Sequence, residues 1–472
     1  MRRLNRFALA IAATGALLAG ATHVAADDAG AASPPPAGVP KDFSLPEKIH
    51  FRLENGMAVT MVPFGSVPKV SMGLRVRTGN LNEGEHTWLA DIAGRMMTEG
   101  AGDLDSAGLA RRAAELGGSV GVSTGPESTT VSMGSLAEKE TEALALLADV
   151  ARRPWFPESE LERIRQDFLR NLSIAKVRPQ AQAAVAFNAR IYGDHPFSVV
   201  FPEAEQLMGY TIEDVRRYYE DNFGARRSHL FVSGRFDAEA MRSAVEAQFG
   251  DWQPGPEVYI DVPDPIREGS LTVIDRPGAP QSTIVVGIPV IGVAEADYTQ
   301  LLMANSVLGG AGFLSRLFQN LREDKGWTYG PSTGTSNSYR SAIWQFSADV
   351  ATEATGPSLS EFFAELERLK EEPPSGEELQ RIRGYRGGIF VLQNASRTGV
   401  IGTLAFMDFH ELPDSYLTEY LARLAATTPG QVSAISRAQW PVEGMTMVVV
   451  GDRSVIDEQL AEVEQLKGRL PD

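Results

Sequence analysis

The chain has 472 residues, no cysteine and a formal net charge of −17. Without thiols there are no disulfides or thiolate metal sites, so cohesion must come from an apolar core large enough for two or more domains. Acidity on this scale argues against nucleic acid or anionic lipid as a main partner.

Met-Arg-Arg-Leu-Asn-Arg opens the chain, an apolar run from Phe7 to Gly20 follows, and small residues lead to Ala26. This is the pattern of a secretory signal cleaved near Ala26. The other reading is an uncleaved anchor, but the run is short for a bilayer span. No cysteine stands at the exit for lipid attachment. A periplasmic protein with no membrane anchor after cleavage is expected, its charge then −20 because residues 1–26 hold three arginines and no acids. Residues 27–44, rich in Ala, Gly and Pro, read as an extended linker.

Beyond the linker, 57–63 and 70–77 are expected as paired strands, with a turn at Gly79-Asn80. Leu89, Ile92 and Met96 share one helical face, predicting a helix near 85–98. A helix near 104–116 stops at Gly117-Gly118, strands 119–124 and 128–135 follow, and 137–152 is helical. The next helix opens at Pro157-Glu158, where proline in the first turn is tolerated. A helix near 211–222 and a strand at 228–234 close the first half. Strand blocks alternating with helices in this order indicate an α+β fold.

The chain then repeats itself. Glu160-Leu-Glu-Arg-Ile-Arg165 returns as Glu378-Leu-Gln-Arg-Ile-Arg383, Thr211 and Val215 as Thr428 and Val432, and Val232-Ser-Gly234 as Val449-Val-Gly451. A constant order at a spacing of 217 or 218 residues divides the chain into 45–258 and 268–472. The Pro-rich stretch from Trp252 to Glu257 and a linker at 259–267 join them.

Four stretches carry a family resemblance: Leu53-Glu-Asn-Gly-Met-Ala-Val59; Ile191-Tyr-Gly-Asp-His-Pro-Phe197; Thr211-Ile-Glu-Asp-Val-Arg-Arg-Tyr-Tyr219 with Val232-Ser-Gly-Arg-Phe236; and Leu308-Gly-Gly-Ala-Gly-Phe-Leu-Ser-Arg-Leu-Phe-Gln-Asn-Leu-Arg322. With these, residues 48–472 resemble the insulinase-type (pitrilysin, M16) metallopeptidases, in particular the short two-domain subunits related to processing peptidase. The resemblance implies two homologous domains, each a mixed, mostly antiparallel sheet with helices on one face (the LuxS/MPP-like metallohydrolase fold).

In active relatives, two histidines of His-x-x-Glu-His and a distal glutamate hold zinc, and the motif glutamate activates water. Three protein ligands leave a fourth position for a water that the metal acidifies. Carried onto this sequence, the motif falls on Asp91, Gly94 and Arg95, and the distal ligand on Asn171. Arg95 puts a permanent positive charge where the cation would sit. Asp91 and Arg95, four apart, are expected to pair on one helix face. The histidines are His23, His50, His86, His195, His229 and His410, and no two are spaced to share a helix face. No metal is therefore expected in this chain. His195 reads as a loop histidine with a structural hydrogen bond, and His86 as a solvent-facing residue at a helix start.

Arg322 and Tyr329, seven residues apart, match the family's arginine–tyrosine pair, which contacts peptide and stabilises the polarised carbonyl. A guanidinium fork grips oxygens and a phenol donates to a developing oxyanion, so the chemistry fits; a surface salt bridge and a core tyrosine are the plainer reading. Gly309, Gly310 and Gly312 lack the lysine and spacing of a phosphate loop and read as a flexible turn at the wall of a substrate chamber. The resemblance thus implies the zinc-less subunit of an exported heterodimeric peptidase. Its homologous partner would carry His-x-x-Glu-His and the zinc, with peptides as substrates. The alternatives are a structural or peptide-binding protein of the same fold without catalysis, and a homodimeric peptide-binding or inhibitory protein.

Overall fold

The computed structural model describes residues 47–469; the expected signal at 1–26 and linker at 27–44 lie outside them. Strands β1 (Ile49–Arg52), β2 (Ala58–Pro63), β3 (Lys69–Val76), the short pair β4 (Gly100–Ala101) and β5 (Leu104–Asp105), then β6 (Val120–Thr124), β7 (Thr129–Leu136) and β8 (Ser228–Gly234) belong to the first half. The larger sheet runs β1-β2-β8-β3-β7-β6. β2 and β3 are therefore not partners, contrary to the sequence expectation. β8 lies between them, parallel to β2 and antiparallel to β3. All seven residues of β8 are buried, which requires a neighbour on either edge and cover on both faces. A strand of that kind is placed at the centre of a sheet, and the link 64–68 steps across it.

The second half builds β9 (Ser270–Asp275), β10 (Gln281–Val290), β11 (Ser332–Ser338), β12 (Ser341–Ala351) and β13 (Thr446–Gly451) into a sheet of order β11-β12-β10-β13-β9. Taken from its other edge, this is the order of the first sheet without β1. The single parallel pair recurs as β9 with β13. The sequence repeats fall on equivalent elements. Helix Glu158–Lys176 matches Gly376–Gln393, and helices Ile212–Asn222 and Pro429–Gln439 both open on a threonine capping box, Thr211 with Asp214 and Thr428 with Gln431. Reciprocal threonine and acid or amide contacts satisfy the first orphan N–H groups of each helix.

In the first half, helices Leu89–Met96, Glu140–Arg152 and Ile212–Asn222 contribute Ile92, Met96, Leu144, Leu147, Ile212 and Val215 to the main core against one face of the sheet. The other face is covered from the opposite half. Helix Pro179–Tyr192 crosses over and packs Ala183, Phe187 and Ile191 on Val285, Val448 and Val450 of the second sheet. Helix Arg397–Phe409 returns the contact, setting Val400 and Leu404 against Val62 and Phe231 of the first. These helices start 218 residues apart, so the exchange obeys the internal repeat. The described residues 47–469 consequently belong to one compact unit.

Each exchanged helix sits over a glycine of a middle strand, Gly73 in β3 beneath Ile401 and Gly287 in β10 beneath Phe187. A Cβ on Gly287 would lie 2.5 Å from Phe187 Cζ. We expect Gly287→Ala to destabilise the chain by ~1–3 kcal/mol through overpacking, and Phe187→Leu in the same background to recover part of the loss. Denaturant midpoints measure both; an unchanged midpoint for Gly287→Ala would show that the seat tolerates bulk.

Candidate functional site

The helix at the degenerate motif is shorter than the expected 85–98. It runs Leu89–Met96, preceded by Trp88 in the left-handed region at φ 69°. Its N-terminus is capped by a residue outside the reach of a local capping pattern. Glu83 accepts the Trp88 N–H on Oε1 (2.9 Å) and the Ala90 N–H on Oε2 (3.0 Å). Asn80 Nδ2 bridges two carboxylates, donating to Glu83 Oε2 at 3.2 Å and to Asp91 Oδ2 at 2.7 Å.

Asp91 is thus engaged by Asn80, and the expected Asp91–Arg95 pair does not form. Arg95 turns toward the other end of the helix, to Glu99 Oε1 at 2.5 Å and Thr98 Oγ1 at 2.9 Å. Glu99, its side chain 5 % exposed, also receives Arg163 Nη2 at 2.9 Å from helix Glu158–Lys176. An acid buried between two arginines needs both, which accounts for the direction Arg95 takes. Gly94 is crowded by one side chain of β6, since a Cβ there would lie 2.2 Å from Thr124 Oγ1. Asn171 stands exposed on helix Glu158–Lys176. Among the described residues no group of three or more His, Asp or Glu side chains is arranged to hold a metal ion.

Glu83 borders a cavity of ≈ 1370 Å³ between the two halves, whose walls include Trp88, Phe187, Phe201, Ser336 and Phe409. Burial pushes its carboxyl up to about 7, against the pull of the Ala90, Trp88 and Asn80 donors. Burial likewise raises Asp91. The folded protein then holds a proton on Glu83 that the unfolded chain has released above its ordinary value of 4.5. Stability contributed by this group is full below that value, falls as pH rises toward 7, and is level above, a swing of ~3 kcal/mol. We expect Glu83→Gln to flatten this part of the profile. Thermal melts between pH 5 and 8 test it, and parallel curves for the two proteins would refute the assignment.

Arg322 and Tyr329 come together. The Arg322 guanidinium lies 4.3 Å from the Tyr329 ring centroid and 4.9 Å from that of Phe318, and its Nη1 donates to the Tyr329 carbonyl at 2.6 Å. Tyr329 is 81 % exposed, so the reading as a core tyrosine fails, while the salt-bridge half of that reading is met by Glu323 Oε1, 3.5 Å from Arg322 Nε. A delocalised cation over a phenol ring is a favourable contact for the exposed Tyr329 and the half-buried Arg322.

The glycine run is not the flexible turn expected of it. Gly309 and Gly310 end a π-helical segment, Ser306–Gly310. A Cβ on Gly309 would meet Thr333 Cγ2 at 2.7 Å, and one on Gly310 would meet Asn305 Nδ2 at 2.2 Å. The bareness of Gly309 lets backbone pack on β11, and that of Gly310 lets it pack on Asn305, whose Oδ1 accepts from Trp344 Nε1 at 2.8 Å. Gly312 takes a positive φ and leads to Phe313, which is exposed.

His195 accepts the Phe197 N–H on Nδ1 at 3.2 Å, the structural bond expected of it, and His86 is exposed before the helix. Sequence spacing gave no sign of a polar chain across the halves. His50 Nδ1 lies 3.0 Å from Thr60 Oγ1, Thr60 Oγ1 2.8 Å from His229 Nε2, and His229 Nδ1 3.0 Å from Asp408. His410 is held neutral beside it, burial and the Arg75 and Arg77 charges pushing it down to about 4.

Comparison with known proteins adds the family. A profile described as insulinase (peptidase family M16) matches residues 65–198, and one described as peptidase M16 inactive domain matches 209–384. A Rickettsia felis protein called an uncharacterized zinc protease is 24% identical over 353 residues, 72% of this chain and 83% of that protein. Bacillus subtilis YmxG, also called an uncharacterized zinc protease, is 24% identical over 282 residues, 59% and 68% of the two chains. Among solved structures, the peptidase M16 inactive domain from Pseudomonas fluorescens superposes with a TM-score of 0.80 at 24% identity, covering 86% of this chain and 98% of that one. A chain of complex III2 from Candida albicans gives 0.72 at 15% identity over 88% and 99%. These superpositions establish the fold. With both profiles matching in order, and Asp91, Gly94 and Arg95 where the family motif has His, Glu and His, the chain belongs to the M16 insulinase family of peptidases as a member lacking the zinc motif.

Proposed function

We propose that this chain is the non-zinc subunit of an exported, periplasmic heterodimeric M16 metallopeptidase. A homologous partner supplies His-x-x-Glu-His and the zinc, and peptide adds as a strand to an edge of the partner's sheet. This chain contributes peptide contacts and transition-state donors through Arg322 and Tyr329. One observation carries the reading. The Tyr329 ring stands exposed over the half-buried Arg322 guanidinium, while the positions matching the zinc motif hold Asp91, Gly94, Arg95 and Asn171. Loss of the ligands with retention of the donors is what a division of labour between chains produces.

Purification of the native complex followed by metal analysis tests it. The chain alone should contain no stoichiometric zinc and cleave no peptide, and mixing with the partner should restore cleavage. A lone chain that holds one zinc and hydrolyses peptide overturns the proposal. The second reading, a structural or peptide-binding protein without catalysis, draws on the likeness to a chain of complex III2. It predicts a stable assembly whose activity is indifferent to Arg322 and Tyr329.

A further inference from the structure

We infer that Thr328 and Phe318 are positioning residues that fix the Arg322–Tyr329 pair before any partner or peptide arrives; the functional consequence rests on the proposed role of that pair. Tyr329 is 81 % exposed, so its ring has little packing of its own to hold it. Order must come from its neighbours. Thr328, 7 % exposed, straddles Tyr329. Its hydroxyl donates to the Asp349 carbonyl at 2.7 Å and accepts the Gly330 N–H at 3.4 Å. The main chain is pinned on the same side, because the Ala351 N–H donates to the Trp327 carbonyl at 2.9 Å.

Asp349 is in turn held from both halves. Its carboxylate accepts from Thr283 Oγ1 at 2.5 Å and from Gln180 Nε2 at 2.9 Å, and Gln180 belongs to the exchanged helix Pro179–Tyr192. The turn that presents Tyr329 is therefore tied to the seam between the halves. Phe318 adds a second ring, its centroid 4.9 Å from the guanidinium carbon that lies 4.3 Å from the Tyr329 centroid. With two rings against the guanidinium, the Tyr329 carbonyl on Nη1 and Glu323 Oε1 3.5 Å from Nε, the fork is held at several points. A donor aimed in advance costs no reorganisation when charge develops, and small misplacements of such a group are expensive in rate.

The test has two arms. On the isolated chain, nitrogen-15 NMR of the Arg322 Nε–Hε group reads the ring-current shift and the order parameter. Both should collapse toward free-arginine values in Phe318→Leu and Thr328→Val and be retained in Phe318→Tyr and Thr328→Ser. On the native two-chain complex with a quenched fluorescent peptide, the first two variants should lower kcat about tenfold with KM little changed, and the conservative pair should restore it. Unchanged Arg322 signals in Phe318→Leu and Thr328→Val overturn the positioning role. If those signals move while Arg322→Ala itself leaves turnover intact, the proposed function falls and the positioning stands.

Discussion

Restoring the family's zinc residues will not make this chain a zinc protein. In Asp91→His, Gly94→Glu, Arg95→His, Asn171→Glu, we expect substoichiometric metal and a less stable fold. The obstacle is steric before it is chemical. A Cβ at position 94 would meet Thr124 Oγ1 at 2.2 Å, and that hydroxyl is 3.4 Å from the Ala90 carbonyl of the same helix. Overpacking of this kind costs ~1–3 kcal/mol. Arg95→His also removes one of two arginines paired with Glu99, and Asp91→His removes one of the two acceptors of Asn80. A version that adds Thr124→Ala separates the effects: without Oγ1 the nearest atoms to a Cβ at 94 are Val122 Cγ1 at 3.5 Å and Cβ of residue 124 at 3.6 Å, so it should regain stability, while the loss of the Arg95 and Asp91 partners remains. Metal analysis and denaturant midpoints decide. One tightly held zinc per chain at an unchanged midpoint would show the pocket to be intact.

The degree to which all this was legible depends on how local each determinant is. Strands such as Thr129–Leu136 and helices such as Glu158–Lys176 announce themselves by period and by start signals, and the repeat is legible because equivalent helices keep their caps, Thr211 and Thr428 among them. Strand order is a different matter. Nothing in 57–77 tells that Ser228–Gly234 will enter between two strands close in sequence; only the total burial of that segment demands it. The helix start at Leu89 was misjudged because its cap is Glu83, a carboxylate brought in by a separate turn. The Asp91–Arg95 pair failed for the same reason, as Asn80 and Glu99 offer partners that the four-residue spacing cannot reveal. The glycines at 309, 310 and 312 look permissive in sequence, and at 309 and 310 the structure uses them for contact. By contrast, the seven-residue spacing of Arg322 and Tyr329 pointed to a real adjacency, because that stretch is one helical segment and the turn that follows it.

Arg322→Ala and Tyr329→Phe should each reduce turnover of the two-chain complex by ~100-fold or more, the range found on removing a single oxyanion donor. The two substitutions separate chemistry from scaffold. Tyr329→Phe keeps the ring that faces the guanidinium at 4.3 Å and the carbonyl that Arg322 contacts at 2.6 Å, and deletes only the hydroxyl. A fall in kcat with KM nearly constant would then mark a donor engaged in the transition state rather than in ground-state binding. Arg322→Lys keeps the charge but gives up the planar fork and its contacts with the Phe318 and Tyr329 rings, so it should behave closer to alanine than to wild type. None of these changes should alter the zinc content of the complex if, as proposed, the partner chain holds the metal. A kcat that survives Tyr329→Phe and Arg322→Ala alike would leave the pair without a catalytic role and favour the structural reading. A loss of zinc in step with the loss of rate would mean that the pair acts by holding the two chains together.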